Sequence, residues 1–285
     1  VPTSPSAILA CAILFASAAP APAAPANLPT SHGYGAAPLQ QLDFWRAPGT
    51  VPAPLIVFVH GGGWQRGDKQ MDTGAPKIAH WTAQGYAVAS INYRLVPAAT
   101  VEQQAGDVAA ATAWLHGRAA QLGIDPSRIV LVGHSAGAHL AALAGTDPRY
   151  FAAVGMTLSD VRGVVALDGA AYDVPRQAAD AGPLMRHVYA KAFGSEQARQ
   201  QALSPVLQAA APNAGAFLLI HIDRDDGRAQ AEALGLALRQ AGTPAQVVSV
   251  TGAGMRGHLD LNATLGQADA PATAVVDTWL RAVLR

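Results

Sequence analysis

The sequence predicts an α/β domain with a mostly parallel central sheet, helices on both faces and a short cap insertion. Three observations point there. Six apolar, β-branched runs recur along the chain, continuous rather than alternating, as strands covered on both faces read. Ala-rich segments at helical spacing lie between them, and a strand–helix–strand rhythm builds a parallel sheet. The chain has 285 residues, 51% hydrophobic and 13% charged, enough to bury one large core.

Residues 1–24 read as a signal peptide followed by a Pro/Ala-rich linker, leaving 25–285 as a single domain. "AILACAILFASAA" (7–19) is too short to span a bilayer but suits the apolar region of an export signal, and small-x-small sites follow it. The stretch before it, "VPTSPS", lacks the Lys or Arg such signals carry. On this reading the protein is exported, periplasmic or secreted, with no stable membrane anchor; without the signal it is cytoplasmic. Cys11 is the only cysteine, so removing the signal leaves neither a disulfide nor a thiol nucleophile.

The elements follow in order. "QQLDFWRAP" (40–48) alternates apolar and polar residues and predicts an antiparallel edge strand. "LIVFVH" (55–60), "AVASINY" (87–93), "RIVLVGH" (128–134), "GVVALDG" (163–169), "AFLLIHI" (216–222) and "AQVVSVTG" (245–252) are the buried strands. Helices are predicted over 101–123, 231–242 and 272–285, with Gly123 and Gly242 where helix C-caps belong. Between the strand at 163–169 and the next helix, residues 170–193 read as the cap.

Sites on open sheets form at the carboxyl ends of the strands. Here those ends carry "HGGGWQRGDK", "HSAG", "DRDD" and "AGMRGH": a Gly-rich loop, a serine, a carboxylate cluster and a histidine. Gly133-His134-Ser135-Ala136-Gly137 fits G-x-S-x-G, which alone is a weak signal and equally describes a tight turn. Between a buried strand and a helix, however, its glycines allow a sharp turn that lifts the hydroxyl clear of the sheet. Such a serine needs a base.

The chain order on this kind of elbow is serine, then carboxylate, then histidine. Of nine histidines, only His187, His221 and His258 follow Ser135 beyond its own helix. His187 lies in a polar insertion and His221 inside an apolar strand, which leaves His258, in a Gly-rich loop after the last strand. The carboxylate is expected after the strand at 216–222, where Asp223, Asp225 and Asp226 compete. Asp225 is best placed by count to hold the imidazole; the others read as solvated loop residues. Three successive glycines in "HGGGW" (60–64) can present amides to an oxyanion, so Gly62 and Gly63 with Ala136 make a chemically sensible hole. A phosphate cradle is the rival reading of any Gly-rich loop, but neither a P-loop Lys-Ser/Thr pair nor G-x-G-x-x-G is present.

"HGGGWQRGDK", "GYAVASINYRL", "GHSAGAHLAAL", "YGAAPLQQLDFWRAP" and "FGSEQARQQALSP" together resemble the α/β-hydrolase superfamily. The resemblance is to its esterase/lipase branch, related to hormone-sensitive lipase, carboxylesterases, bacterial feruloyl-esterase-like enzymes and kynurenine formamidase. It runs from about Tyr34 to the C-terminus. It implies a nucleophile at Ser135, an acid at Asp225 and a base at His258, with oxyanion donors at Gly62, Gly63 and Ala136. The departures lie near the acid, where His221-Ile222 replaces the usual His-Gly pair, and at "MRGHLDLN" (255–262), which lacks the Gly-His-Gly-Phe continuation.

The expected activity is a serine hydrolase cleaving small to medium carboxylic esters through an acyl-enzyme. An amide-directed relative and a non-catalytic binding protein of the same fold are the alternatives. Met185, Tyr172 and Tyr189 in the cap, and Trp64 beside the Gly-rich loop, are candidate pocket residues, with simple packing the competing account of each. Net charge is zero and no basic stripe exists, which argues against nucleic acid. No cofactor is implied, and the scattered histidines lack metal-ligand spacing. Oligomeric state is not encoded in any pattern here.

Overall fold

The computed structural model describes residue 1 and residues 28–49, 52–70 and 74–285; the export-signal and linker reading rests on residues outside this set. The apolar runs become strands because each offers side chains to a core on both faces. In β3 (Ala53–Val59), below, Leu55, Val57 and Val59 enter one apolar cluster while Ile56 and Phe58 enter the other.

Among the described residues eight strands make one sheet: β1 (Thr30–Gly33), β2 (Gln41–Trp45), β3 (Ala53–Val59), β4 (Ala87–Ile91), β5 (Ile124–His134), β6 (Gly163–Leu167), β7 (Phe217–Asp223) and β8 (Ala245–Ala253). Their order is β1-β2-β4-β3-β5-β6-β7-β8. From β4 to β8 all neighbours are parallel, whereas β2 runs antiparallel to both β1 and β4. The expected antiparallel strand at 40–48 therefore exists, but it is not the edge. The four-residue β1 covers it, too short and polar to show as a hydrophobic run.

The helices are α1 (Gly74–Ala83), α2 (Val101–His116), α3 (Ala119–Leu122), α4 (Ala136–Thr146), α5 (Pro148–Ala152) and α6 (Val174–Asp180). They continue with α7 (Pro183–Phe193), α8 (Gln197–Ala202), α9 (Pro205–Gln208), α10 (Asp225–Gln240), α11 (Gly254–Thr264) and α12 (Pro271–Val283). One face carries α1, α11 and α12, whose Ile78, Trp81, Leu261, Val276, Trp279 and Leu280 share a cluster with Ile56 and Phe58. The other carries α2, α4 and α10. A capping box starts α2: the Thr100 hydroxyl accepts from Gln103 N–H while the Gln103 side chain accepts from Thr100 N–H. Gly123 closes α3 with φ 70°, a left-handed turn glycine adopts without strain.

The cap is larger than expected. It fills the whole β6–β7 connection and contains α6 to α9, of which the stretch 170–193 is only the first half. Among the described residues no helix is long and apolar enough to cross a membrane.

Candidate active site

Ser135 sits at the junction of β5 and α4 with φ 55° and ψ −118°, a conformation that costs a residue with a side chain roughly 1–3 kcal/mol. Close packing holds it there. A β-carbon on Gly137 would collide with the carbonyl oxygens of Val59 and His60, and one on Gly133 with the Gly137 carbonyl. The Ser135 amide is tied across the sheet, donating to Leu167 O at 3.0 Å. Both motif glycines are thus required by the approach of α4 to the strand ends, and the serine side chain is left half-exposed. Every residue of α4 is buried, and its N-terminus, with its partial positive charge, begins at Ala136.

The Gly-rich loop lies alongside. Gly62, Gly63 and Trp64 have φ of 111°, 61° and 62°, so three successive residues turn left-handed. Gln65 and Arg66 both donate their amides to Gly62 O, at 3.3 and 3.2 Å. Trp64 O accepts from Val96 N–H at 3.0 Å and from Gln104 Nε2 at 2.7 Å. Pinned in this way, the loop leaves Gly62 and Gly63 half-buried, with no acceptor for their N–H groups among the described residues.

His258 Nδ1 donates to Asp168 Oδ2 at 2.6 Å. Asp168 is the residue after β6, at φ 42°, and its side chain is fully buried. Burial pulls its carboxyl up. The hydrogen bond from His258, the Arg224 and His258 charges and the Ile222 amide together outweigh burial and hold it below the usual carboxylate range. With Nδ1–H engaged, the lone pair of a neutral His258 ring falls on Nε2. The His134 ring, next to Ser135 in sequence, lies 4.5 Å from that of His258, and its Nε2 donates to His258 O at 3.0 Å. No hydrogen bond joins the Ser135 hydroxyl to the His258 ring, whose Nδ1 is engaged by Asp168.

The expectation that Asp225 holds His258 is corrected. β7 runs through Asp223 and α10 starts at Asp225, so a single residue separates strand from helix and no loop remains to carry a carboxylate back over the sheet. Asp225 instead points to solvent, 95% exposed, and pairs with Arg228 at 2.7 Å. The two alternatives fare no better: Asp223 is exposed, and Asp226 pairs with Arg224. His258 also differs from expectation in lying within α11 rather than in a loop.

Three of the four candidate pocket residues are core. Trp64, Tyr172 and Tyr189 are almost wholly buried, and Trp64 packs on Phe193 and donates its indole N–H to His139 Nδ1 at 3.3 Å. Burial keeps both tyrosines protonated, with the Tyr189 hydroxyl pushed up to about 12. Met185 alone reaches the surface, on α7, the cap helix whose Val188 stands against Gly63. Among the described residues no group of three His, Cys, Asp or Glu side chains could hold a metal.

A Gly-rich loop, a serine elbow and a buried Asp–His pair at neighbouring strand ends is the arrangement into which a family match falls. The BD-FAE family model matches residues 42–232, which include Gly62, Gly63, Ser135 and Asp168. The chain belongs to the BD-FAE family. This places it in the esterase/lipase branch of the α/β hydrolases, as the sequence resemblance implied. Esterase LipC of Mycobacterium tuberculosis (strain ATCC 25618 / H37Rv) is 36% identical over 204 residues, 67% of this chain and 50% of LipC. Carboxylesterase NlhH of Mycobacterium tuberculosis (strain CDC 1551 / Oshkosh) is 41% identical over 91 residues, 32% of this chain and 28% of that protein. The chain thus spans half the length of LipC and less of NlhH. In fold, this BD-FAE chain resembles esterase B of Lactobacillus rhamnosis, with TM-score 0.70 and 23% identity over 89% of this chain and 83% of that one. It also resembles Thermogutta terrifontis esterase 2, in a structure phosphoramylated by tabun, with TM-score 0.72 and 21% identity over 90% and 94% of the two chains.

Two buried histidines make the BD-FAE chain sensitive to acid. Burial lowers His134 to about 3 and His139 to about 4; the charge of His258 also presses on His134. His139 is fixed by the Trp64 indole on Nδ1 and by donating from Nε2 to Leu203 O at 2.9 Å. Below the unfolded value of about 6.5 the unfolded chain takes up protons that the native one refuses, so stability falls with pH from there towards these lowered values. The urea midpoint is expected to drop steadily between about pH 6.5 and 4.5. A midpoint flat across that window would contradict neutral burial of both rings.

Proposed function

We propose that this protein is a serine hydrolase cleaving small to medium carboxylic esters through an acyl-enzyme, with Ser135 as nucleophile, His258 as base and Asp168 as acid. The observation that carries the reading is the buried 2.6 Å Asp168–His258 hydrogen bond on the strand end next to a strained, half-exposed serine. A binding module has no need of an imidazole held in the basic tautomer. The relatives' names, esterase and carboxylesterase, support the choice of ester.

In the proposed reaction Ser135 Oγ attacks the ester carbonyl carbon while His258 Nε2 takes the hydroxyl proton. The imidazolium that forms is stabilised by Asp168. Negative charge developing on the carbonyl oxygen is met by the N–H groups of Gly62, Gly63 and Ala136, fixed before substrate arrives; one such donor contributes about 3–4 kcal/mol to the transition state. Collapse expels the alcohol, which receives the proton from His258. Water, deprotonated by the same ring, then attacks the acyl-serine; the C–Oγ bond breaks, His258 returns the proton to Ser135 Oγ, and the carboxylic acid leaves. Export, resting on residues 1–24, would give the enzyme esters outside the cell.

A panel of p-nitrophenyl esters from acetate to octanoate, run beside N-formylkynurenine, tests the assignment. Turnover of the shorter esters is expected. Turnover of the formamide alone would make the protein amide-directed, and no turnover of anything would favour the binding reading.

A further inference from the structure

The turn after β7, where a carboxylate was expected to reach the site, presents the opposite charge to it. Arg224 Nη2 lies 3.6 Å from Asp168 Oδ1, while Asp168 Oδ2 accepts from His258. The same Oδ1 accepts from Ile222 N–H at 3.4 Å. On its other side, Arg224 Nε lies 3.1 Å from Asp226 Oδ1, and Asp226 Oδ2 accepts from Gln177 Nε2 of α6 at 3.1 Å. The guanidinium thus sits between the acid of the site and a carboxylate tied to the cap.

Room for it is specific. Gly227 lies in the first turn of α10, and a β-carbon there would come within 3.0 Å of Arg224 Nε and Nη2 and 3.3 Å of Asp168 Oδ1. Glycine at 227 leaves the guanidinium its place beside the carboxylate.

We infer that Arg224 is a positioning residue for the Asp168–His258 pair, its charge standing beside one carboxylate oxygen, without a hydrogen bond to it, while the other oxygen faces the imidazole, and weakening the carboxylate's pull on the ring proton. The inference rests on the reading of His258 as base. Its sign follows from charge. A cation beside Asp168 disfavours a second cation on His258, and this gives the direction expected in the test. Other charged or titratable groups facing the pair are His134 at the end of β5, Tyr172 after β6, and Asp226 behind Arg224. Lys77 of α1, on the same face as α11, also acts on His134. Arg224 is the cation in contact with Asp168 itself.

The test compares wild type with Arg224→Met, Arg224→Lys and Gly227→Ala. Two readouts are used: the pH profile of kcat/KM for p-nitrophenyl butyrate, and the NMR titration of the His258 ring without substrate. Arg224→Met is expected to raise both midpoints by about 0.5–1 pH unit. Arg224→Lys should leave them near wild type. Gly227→Ala, which keeps every charge but pushes the guanidinium off the carboxylate, should raise them part of the way, and it decides the matter if Arg224→Met does not fold. A variant less active at every pH with both midpoints unmoved, or moved downward, would overturn the inference, because a purely structural role predicts that pattern. The ring titration needs no turnover. If it shifts as stated in a protein that hydrolyses no ester, the functional proposal fails and the role of Arg224 stands; turnover with an unmoved titration means the reverse.

Discussion

Asp168→Asn is expected to lower kcat/KM for a short-chain ester by about 10⁴-fold, while Asp225→Asn changes it by no more than about twofold. The two carboxylates occupy opposite environments. Asp168 has a fully buried side chain, accepts the His258 Nδ1 proton at 2.6 Å and meets Arg224 with its other oxygen. An amide there either offers its NH₂ to Nδ1, moving the ring proton to Nε2 and removing the base, or offers its oxygen without the charge that stabilises imidazolium. It also leaves the Arg224 guanidinium facing a neutral group. Asp225, 95% exposed and paired with Arg228 one turn on, has no comparable task. Equal small losses in the two variants would remove Asp168 from the mechanism, and a larger loss at Asp225 would restore the acid to the turn after β7.

Ser135→Ala is expected to lower kcat by about 10⁵–10⁶-fold while the protein keeps its thermal stability and its affinity for ester analogues. The oxyanion donors are backbone groups of Gly62, Gly63 and Ala136, and the substitution leaves them in place; residual turnover above water is theirs. Stability should hold because the serine hydroxyl makes no hydrogen bond among the described residues, while the strained turn is fixed by Gly133, Gly137 and the Ser135 amide. Full activity in a folded Ser135→Ala protein would transfer the nucleophile elsewhere.

The parts of the site that were legible in the sequence are those with a local backbone signature. Glycines at 133 and 137 around a serine, and Gly62 in the run 61–63, state their geometry in the residue types themselves, because a β-carbon at any of the three would collide with backbone. His258 was reachable by elimination among few histidines. Its acid was not. "GVVALDG" and "HIDRDDG" both end a strand with an aspartate, and the choice turns on the length of the β7–α10 connection, a single residue, which no periodicity reveals. The Asp-Gly at 168–169 was the available signal, a carboxylate where the chain must turn sharply.

The aromatic residues fail to resolve for another reason. Trp64, Tyr172 and Tyr189 are buried, and the rings of Trp64 and Tyr189 pack with His139 and Phe193 between the Gly-rich loop, α4 and the cap. An aromatic side chain suits a pocket wall and a core equally, and only the positions of its neighbours separate the two. The same holds for β1, whose "TSHG" carries no apolar pattern and becomes a strand by pairing with β2.

The most direct test of the account is to treat the protein with diethyl p-nitrophenyl phosphate and locate the adduct by peptide mass spectrometry. Serine attack on phosphorus releases p-nitrophenolate and leaves a stable diethylphosphoryl ester. The prediction is stoichiometric release, loss of ester hydrolysis in parallel, and a single label on Ser135 that forms much more slowly in Asp168→Asn. A label on another residue, or ester hydrolysis that survives complete labelling of Ser135, would contradict it.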